Sequence, residues 1–167
     1  MTQRSATKSA GLPERGLGHL LREISRAFDN GMQGRLARYG VTLSQWLHLR
    51  SLWDNPGMTC SAISRYLGVE KASSTAVLDE LEKRGFIQRV KNTEDRRIVN
   101  LQLTAQGKSL TRKLIPHAVE INSAARANVG ANDFVTFLRV AETMVGNLKD
   151  INPNVLRPAR VSRLARK

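Results

Sequence analysis

Cysteine occurs once, at Cys60, and the 14 acids are outnumbered by 27 lysines and arginines. A single thiol excludes an intrachain disulfide and any cysteine-based metal cluster within one chain, so packing must hold the fold and a reducing compartment suits it. No apolar run approaches the roughly 18 residues that mark a spanning helix, and the polar N-terminus lacks the apolar stretch of a signal peptide. The reading is a cytoplasmic protein. The three histidines, His19, His48 and His117, show no H-E-x-x-H or comparable metal spacing, and there is no glycine-rich phosphate loop or G-x-S-x-G elbow. No enzyme, cofactor or metal is expected.

What the chain has is positive charge. A formal +13 and a pI near 11 point to polyanions, whether nucleic acid, an anionic membrane or an acidic partner, and charge alone does not choose among them. The 167 residues suffice for one domain with a good core, or one domain with an extended dimerisation part.

Residues 59–104 organise the rest. Thr59 to Leu67 carries Ala62, Ile63, Tyr66 and Leu67 at helical spacing behind a capping hydroxyl, and Gly68 breaks it. A second helix is predicted from Glu70 to Arg84, with Ala76, Val77, Leu78 and Leu81 available for burial and Gly85 past its end. Its opening, Lys71, Ala72, Ser73, Ser74 and Thr75, is small and hydrogen-bonding with one cation, as a helix reading a DNA groove requires. Two strands follow, Phe86 to Lys91 and Ile98 to Leu103, around a charged tip. In the second, Val99, Leu101 and Leu103 alternate with Asn100 and Gln102, which predicts one dry and one wet face. From Glu82 to Arg97 the cations Lys83, Arg84, Arg89, Lys91, Arg96 and Arg97 face only Glu82, Glu94 and Asp95. That excess would attract a phosphate backbone.

Helix, turn, helix and a two-stranded wing describe a winged helix-turn-helix, and the sequence resembles the MarR family of bacterial transcription regulators. The resemblance rests on Leu67-Gly68-Val69 before the second helix and Leu81-Glu82-Lys83-Arg84-Gly85-Phe86-Ile87 after it, on the wing-tip Asp95-Arg96-Arg97 that matches the family's Asp-x-Arg, and on Leu103-Thr104-Ala105-Gln106-Gly107, similar to its Leu-Thr-x-x-Gly. It covers about Leu17 to Leu148. It implies a mainly α fold with a small β wing and a dimerisation region formed by N- and C-terminal helices. Residues 1–15 would be a flexible basic arm, 16–148 the domain (16–40 and 105–148 dimerising, 42–104 the winged part) and 149–167 a basic tail. It also implies that Arg97 enters the minor groove while Asp95 holds its guanidinium. An ordinary exposed ion pair is the alternative for that pair.

Taken in order, Gly16 to Tyr39 is a long amphipathic helix with Leu17, Leu20, Leu21, Ile24, Ala27, Phe28, Met32 and Leu36 on one stripe. Gly31 and Gly34 could permit a bend or a close crossing, and Gly40 should end it. Thr42 to Trp53, apolar around most of its circumference, is predicted central, and Asn55-Pro56-Gly57 turns the chain. Ala105 to Asn128 is helical with Pro116 inside as a kink, and a last helix runs from Asn132 to Leu148. The end helices carry more apolar stripe than a small winged domain can cover, which argues for a symmetric homodimer on a palindromic operator in double-stranded DNA, with two reading helices about 34 Å apart.

Ligand sensing comes from the resemblance, which points to the first, second and fifth helices and to small aromatic or lipophilic acids or their coenzyme A thioesters. There His19, Arg22, Arg26, Trp46, His48, Arg50 and His117 could supply an aromatic wall and cations, although Trp46 also reads as core and the arginines as a wet helix face. Cys60 is either redox-active at a helix start or a small surface residue. The acid-free tail with Arg157, Arg160, Arg163, Arg166 and Lys167 is either a phosphate-touching arm or a solvated extension. Two functions remain open: a ligand-responsive, sequence-specific repressor, or an architectural nucleic-acid-binding protein without an operator. A site preference of at least about a thousandfold over random DNA separates them.

Overall fold

The computed structural model describes residues 16–151 apart from 94 and 96, with the side chains of 149–151 also left aside. The basic arm, Arg96, Glu94 and the tail beyond residue 151 therefore lie outside the described residues. The elements are α1 (Leu17–Leu36) with a 3-10 turn (Ala37–Tyr39), α2 (Leu43–Asp54), α3 (Cys60–Leu67), α4 (Lys71–Lys83), β1 (Ile87–Lys91), β2 (Val99–Leu103), α5 (Ala105–Ala125) and α6 (Ala131–Ile151). The strands pair antiparallel from Ile87 opposite Leu103 to Lys91 opposite Val99.

Threonine opens three of these helices. Thr42 accepts from the Gln45 N–H while the Gln45 side chain accepts from the Thr42 N–H, a reciprocal cap that satisfies two otherwise orphaned donors. Thr59 caps α3 through Ala62, and Thr104 caps α5 through Gly107. Gly40 and Gly68 end their helices in the left-handed region that a side chain would disfavour. The first helix loses α geometry at Ala37, three residues before Gly40, as the last turn tightens to 3-10.

Two adjoining cores result. One joins Leu49 and Leu52 of α2, Ile63 of α3, Leu78 and Leu81 of α4, and Phe86, Ile87, Leu101 and Leu103 of the wing. Each such side chain contributes about 2 kcal/mol by leaving water. The other joins Met32, Leu36 and Val41 to Trp46 and Leu114. Helix α2 serves both, which is why it is central. A Cβ at Gly31 would meet Ile121 of α5 in ordinary contact at 3.4 Å and Gly34 faces open space, so packing demands glycine at neither position. Arg35 and Glu120 pair at 2.7 Å across the same α1 and α5 contact, holding the Glu120 carboxyl below its ordinary range.

Two expectations need correction. Ala76 is exposed, because the buried side of α4 runs through Ser74, Leu78 and Leu81. Val99 is exposed too, since the dry face of β2 extends only as far as the core beneath it, under Leu101 and Leu103. As expected, the apolar stripes of α1 and α6 are largely uncovered within the chain: Leu17, Leu20, Leu21, Ile24, Phe137, Leu138, Val145 and Leu148 face outward, while Met32 and Leu36 at the end of α1 are buried.

Candidate nucleic-acid interface

Helix α4 leads directly into the wing, and the two share a core through Leu78, Leu81, Ile87 and Leu101. Lys71, Ala72 and Ser73 are exposed on the first turn of α4, which begins at Glu70 without a side-chain cap. Its first N–H groups consequently lack the hydroxyl partner that α2, α3 and α5 enjoy, leaving positive partial charge at that end. Thr75 is half-buried and donates to the Lys71 carbonyl at 2.8 Å, with the Cys60 sulfur 3.3 Å from its oxygen. Ser74 departs from expectation. It is 0% exposed, and its hydroxyl lies 3.0 Å from His48 Nε2.

That contact settles two assignments. The His48 Nδ1–H donates to the Ser44 carbonyl at 2.7 Å, so Nε2 of the neutral ring accepts from Ser74. Burial pushes the imidazole pKa below its ordinary 6.5, and the backbone bond to Ser44 opposes this only in part. Side chains sealed in the core and bonded to each other there are not presented at the DNA-facing surface. Ser74 and His48 are therefore internal braces between α2 and α4.

At the wing tip the chain turns through Asn92, whose Oδ1 accepts from the Asp95 N–H at 3.1 Å. Asp95 in turn accepts from the Arg97 N–H at 3.0 Å and from its guanidinium through Nε and Nη2, both at 3.1 Å. These bonds hold the Asp95 carboxyl below its usual range. Arg97 remains 91% exposed. The tip thus presents a cation already oriented, and the ordering costs no buried charge. Lys91 is exposed at the end of β1.

Two cations assigned to this surface are engaged elsewhere. Arg84 caps the far end of α4, roughly 20 Å from Lys71 by helical rise. There it donates to Gln45 Oε1 at 3.1 Å and lies over the Phe86 ring. Arg89 forks between two acids of α4, meeting Asp79 at 2.5 Å and also Glu82, and these bonds raise its pKa. Sequence reading missed Asn92, Asp79 and Glu82. The available signals were an Asx residue three positions before an acid, and two acids three apart on one helix face.

The seven candidate ligand residues do not converge. Trp46 is core, because the second hydrophobic cluster closes around it. Arg50 pairs with Asp54 at 2.7 Å on α2, while Arg22 and Arg26 are exposed on α1, where His19 lies 3.9 Å from Glu23. His117 is half-buried, its Nε2 3.2 Å from the Tyr39 hydroxyl. A groove of about 670 Å³ lies elsewhere, lined by Ile24, Phe28, Ile121, Arg126, Phe134 and Phe137 among others. Among the described residues no cluster suits a metal ion, and no helix is long and apolar enough to cross a membrane.

Residues 41–99, from the start of α2 into the wing, match the family model described as MarR family. That segment of the chain is similar to the MarR family. Its sequence is 31% identical over 97 residues to HTH-type transcriptional regulator TtmR of Methylorubrum extorquens, covering 57% of this chain and 50% of that one. Against Transcriptional repressor MprA of Escherichia coli it is 40% identical over 63 residues, covering 38% and 36%. These matches span half or less of either relative's length. The MarR fold extends further than the sequence match. A structure titled S. aureus MepR-DNA complex superposes with TM-score 0.73 at 20% identity, covering 80% of this chain and 96% of that one. BpsR of Bordetella bronchiseptica, titled for regulation of its DNA binding by 6-hydroxynicotinic acid, gives 0.69 at 20% identity over 81% and 97%. The winged helix-turn-helix reading of the sequence thus holds.

Proposed function

We propose that the protein is a transcription regulator that binds double-stranded DNA as a homodimer and represses from a palindromic operator until a small aromatic or lipophilic acid, or its coenzyme A thioester, releases it. The observation that carries the DNA reading is the geometry of Arg97, exposed at the end of a hairpin and aimed by Asp95, in a chain whose helix α4 opens with an uncapped first turn. Lys71, Ala72 and Ser73 then address the major groove while Arg97 takes the adjoining minor groove, where narrowness concentrates negative potential. The net charge of +13 supports the same partner. MepR, by its title, was seen with DNA.

The homodimer rests on the uncovered stripes of α1 and α6, which flank the apolar groove and form a surface that a second copy would bury. Ligand response rests on likeness to BpsR, whose title records such control. Selection from random duplexes followed by salt-controlled mobility shifts tests the reading. A symmetric site bound at least about a thousandfold tighter than random DNA is expected. A ratio near one would favour the architectural alternative and end this proposal.

A further inference from the structure

Among the described residues nothing buries the outer wing. Within β1 only Ile87 is buried, and Val90, Ile98 and Val99 are all exposed. The last point at which the hairpin grips the domain is the register pair Arg89 and Leu101. On one strand Leu101 is 1% exposed, and its N–H donates to the Met58 carbonyl at 2.9 Å, adding the segment before α3 to the sheet edge. On the other strand Arg89 reaches sideways and forks onto Asp79 and Glu82 of α4.

We propose that Arg89 is a positioning residue that straps the wing to α4 and fixes the angle at which tip and helix meet DNA together. The rigid fork of a guanidinium suits this, because two acids three residues apart on one helix face offer two fixed acceptors. One exposed pair would constrain little, but two acids on one cation, opposite a buried backbone anchor, leave the hairpin a single direction. Asp79 and Glu82 also stand on the DNA-reading helix, where free carboxylates would repel phosphates. Arg89 cancels that repulsion and in doing so is withheld from the phosphates itself.

The strap's role in reading DNA rests on the proposed operator binding, whereas its mechanical part does not. The test cuts it from either side, with Arg89→Ala and with the double variant Asp79→Asn/Glu82→Gln. Amide hydrogen exchange of β1 and β2 is followed in the free protein, and operator affinity is measured against random DNA at several salt concentrations. Both variants should exchange faster beyond Arg89 while retaining native circular dichroism. Both should lower the ratio of operator to random-DNA affinity by about tenfold, the size of one lost base contact. If Arg89 instead touched phosphate, the double variant would free it and the ratio would hold, which overturns the proposal. Unchanged exchange in both variants overturns it as well. A wild-type ratio near one would end the operator reading alone and leave the exchange comparison to decide the strap.

Discussion

Arg97 and His48 show how a residue's surroundings decide what its chemistry can do. Arg97 is exposed and oriented, so Arg97→Ala should weaken operator binding by about tenfold and reduce the salt slope by about one counterion, with folding unaffected. Unchanged affinity and slope in a salt series would remove it from the interface. His48 is the opposite case, a neutral ring sealed between Ser44 and Ser74. Its folded pKa lies below the unfolded value of about 6.5, so the unfolded chain binds more protons as pH falls. Its stabilising effect is complete above that value and is lost as pH drops from there towards the folded pKa. The wild-type melting temperature should fall more between pH 8 and pH 5 than that of His48→Gln. Equal losses would acquit His48. Sequence could mark both residues but not the burial of His48, which depends on which face of α2 meets Ser74 of α4. Ser73 and Ser74 make the same point, adjacent serines of which one is exposed and one internal.

At the scale of elements the sequence was more legible, because caps and breakers act over a few residues. Thr42→Ala should cost about 1 kcal/mol by removing a two-way cap, measured by denaturant unfolding. The Leu-Thr-x-x-Gly stretch has a plain physical origin. The Thr104 hydroxyl donates to the Gly85 carbonyl at 2.7 Å and accepts from the Gly107 N–H, drawing the first turn of α5 onto the end of α4. A Cβ at Gly107 would stand 1.9 Å from the Phe86 carbonyl oxygen, a backbone atom with no room to yield. Gly107→Ala should therefore destabilise by about 3 kcal/mol or more, whereas the same change at the open Gly146 inside α6 should stabilise by about 0.5–1 kcal/mol because Ala is the better helix former. Element ends were harder to read. The 3-10 turn at Ala37 and the early loss of burial along β2 depend on what packs nearby, which local pattern does not contain.

For the whole molecule, the uncovered faces of α1 and α6 set the main expectation. Sedimentation should give a dimer at micromolar concentration, and Phe137→Glu or Leu21→Glu should shift it to monomer by placing charge in an apolar contact. Operator affinity should then fall by about a hundredfold or more as the second half-site stops adding to the first. A dimer that survives both changes would place the interface elsewhere. The amphipathic stripes were readable in the sequence. The groove between α1, α5 and α6 was not, since its lining comes from residues far apart in the chain.

The knot at Gly85, Thr104 and Gly107 has a mechanical corollary. It fastens α5, which lines that groove, to the base of α4 through backbone atoms that cannot slide. A tilt of α5 is then passed to a rod roughly 20 Å long whose other end is itself tied to α2 through Ser74. The first turn of α4 therefore moves with α2, so in the proposed dimer a rearrangement between copies would carry the reading helix and its neighbours as one block. The joint makes a threonine hydroxyl the point at which that motion enters the winged part.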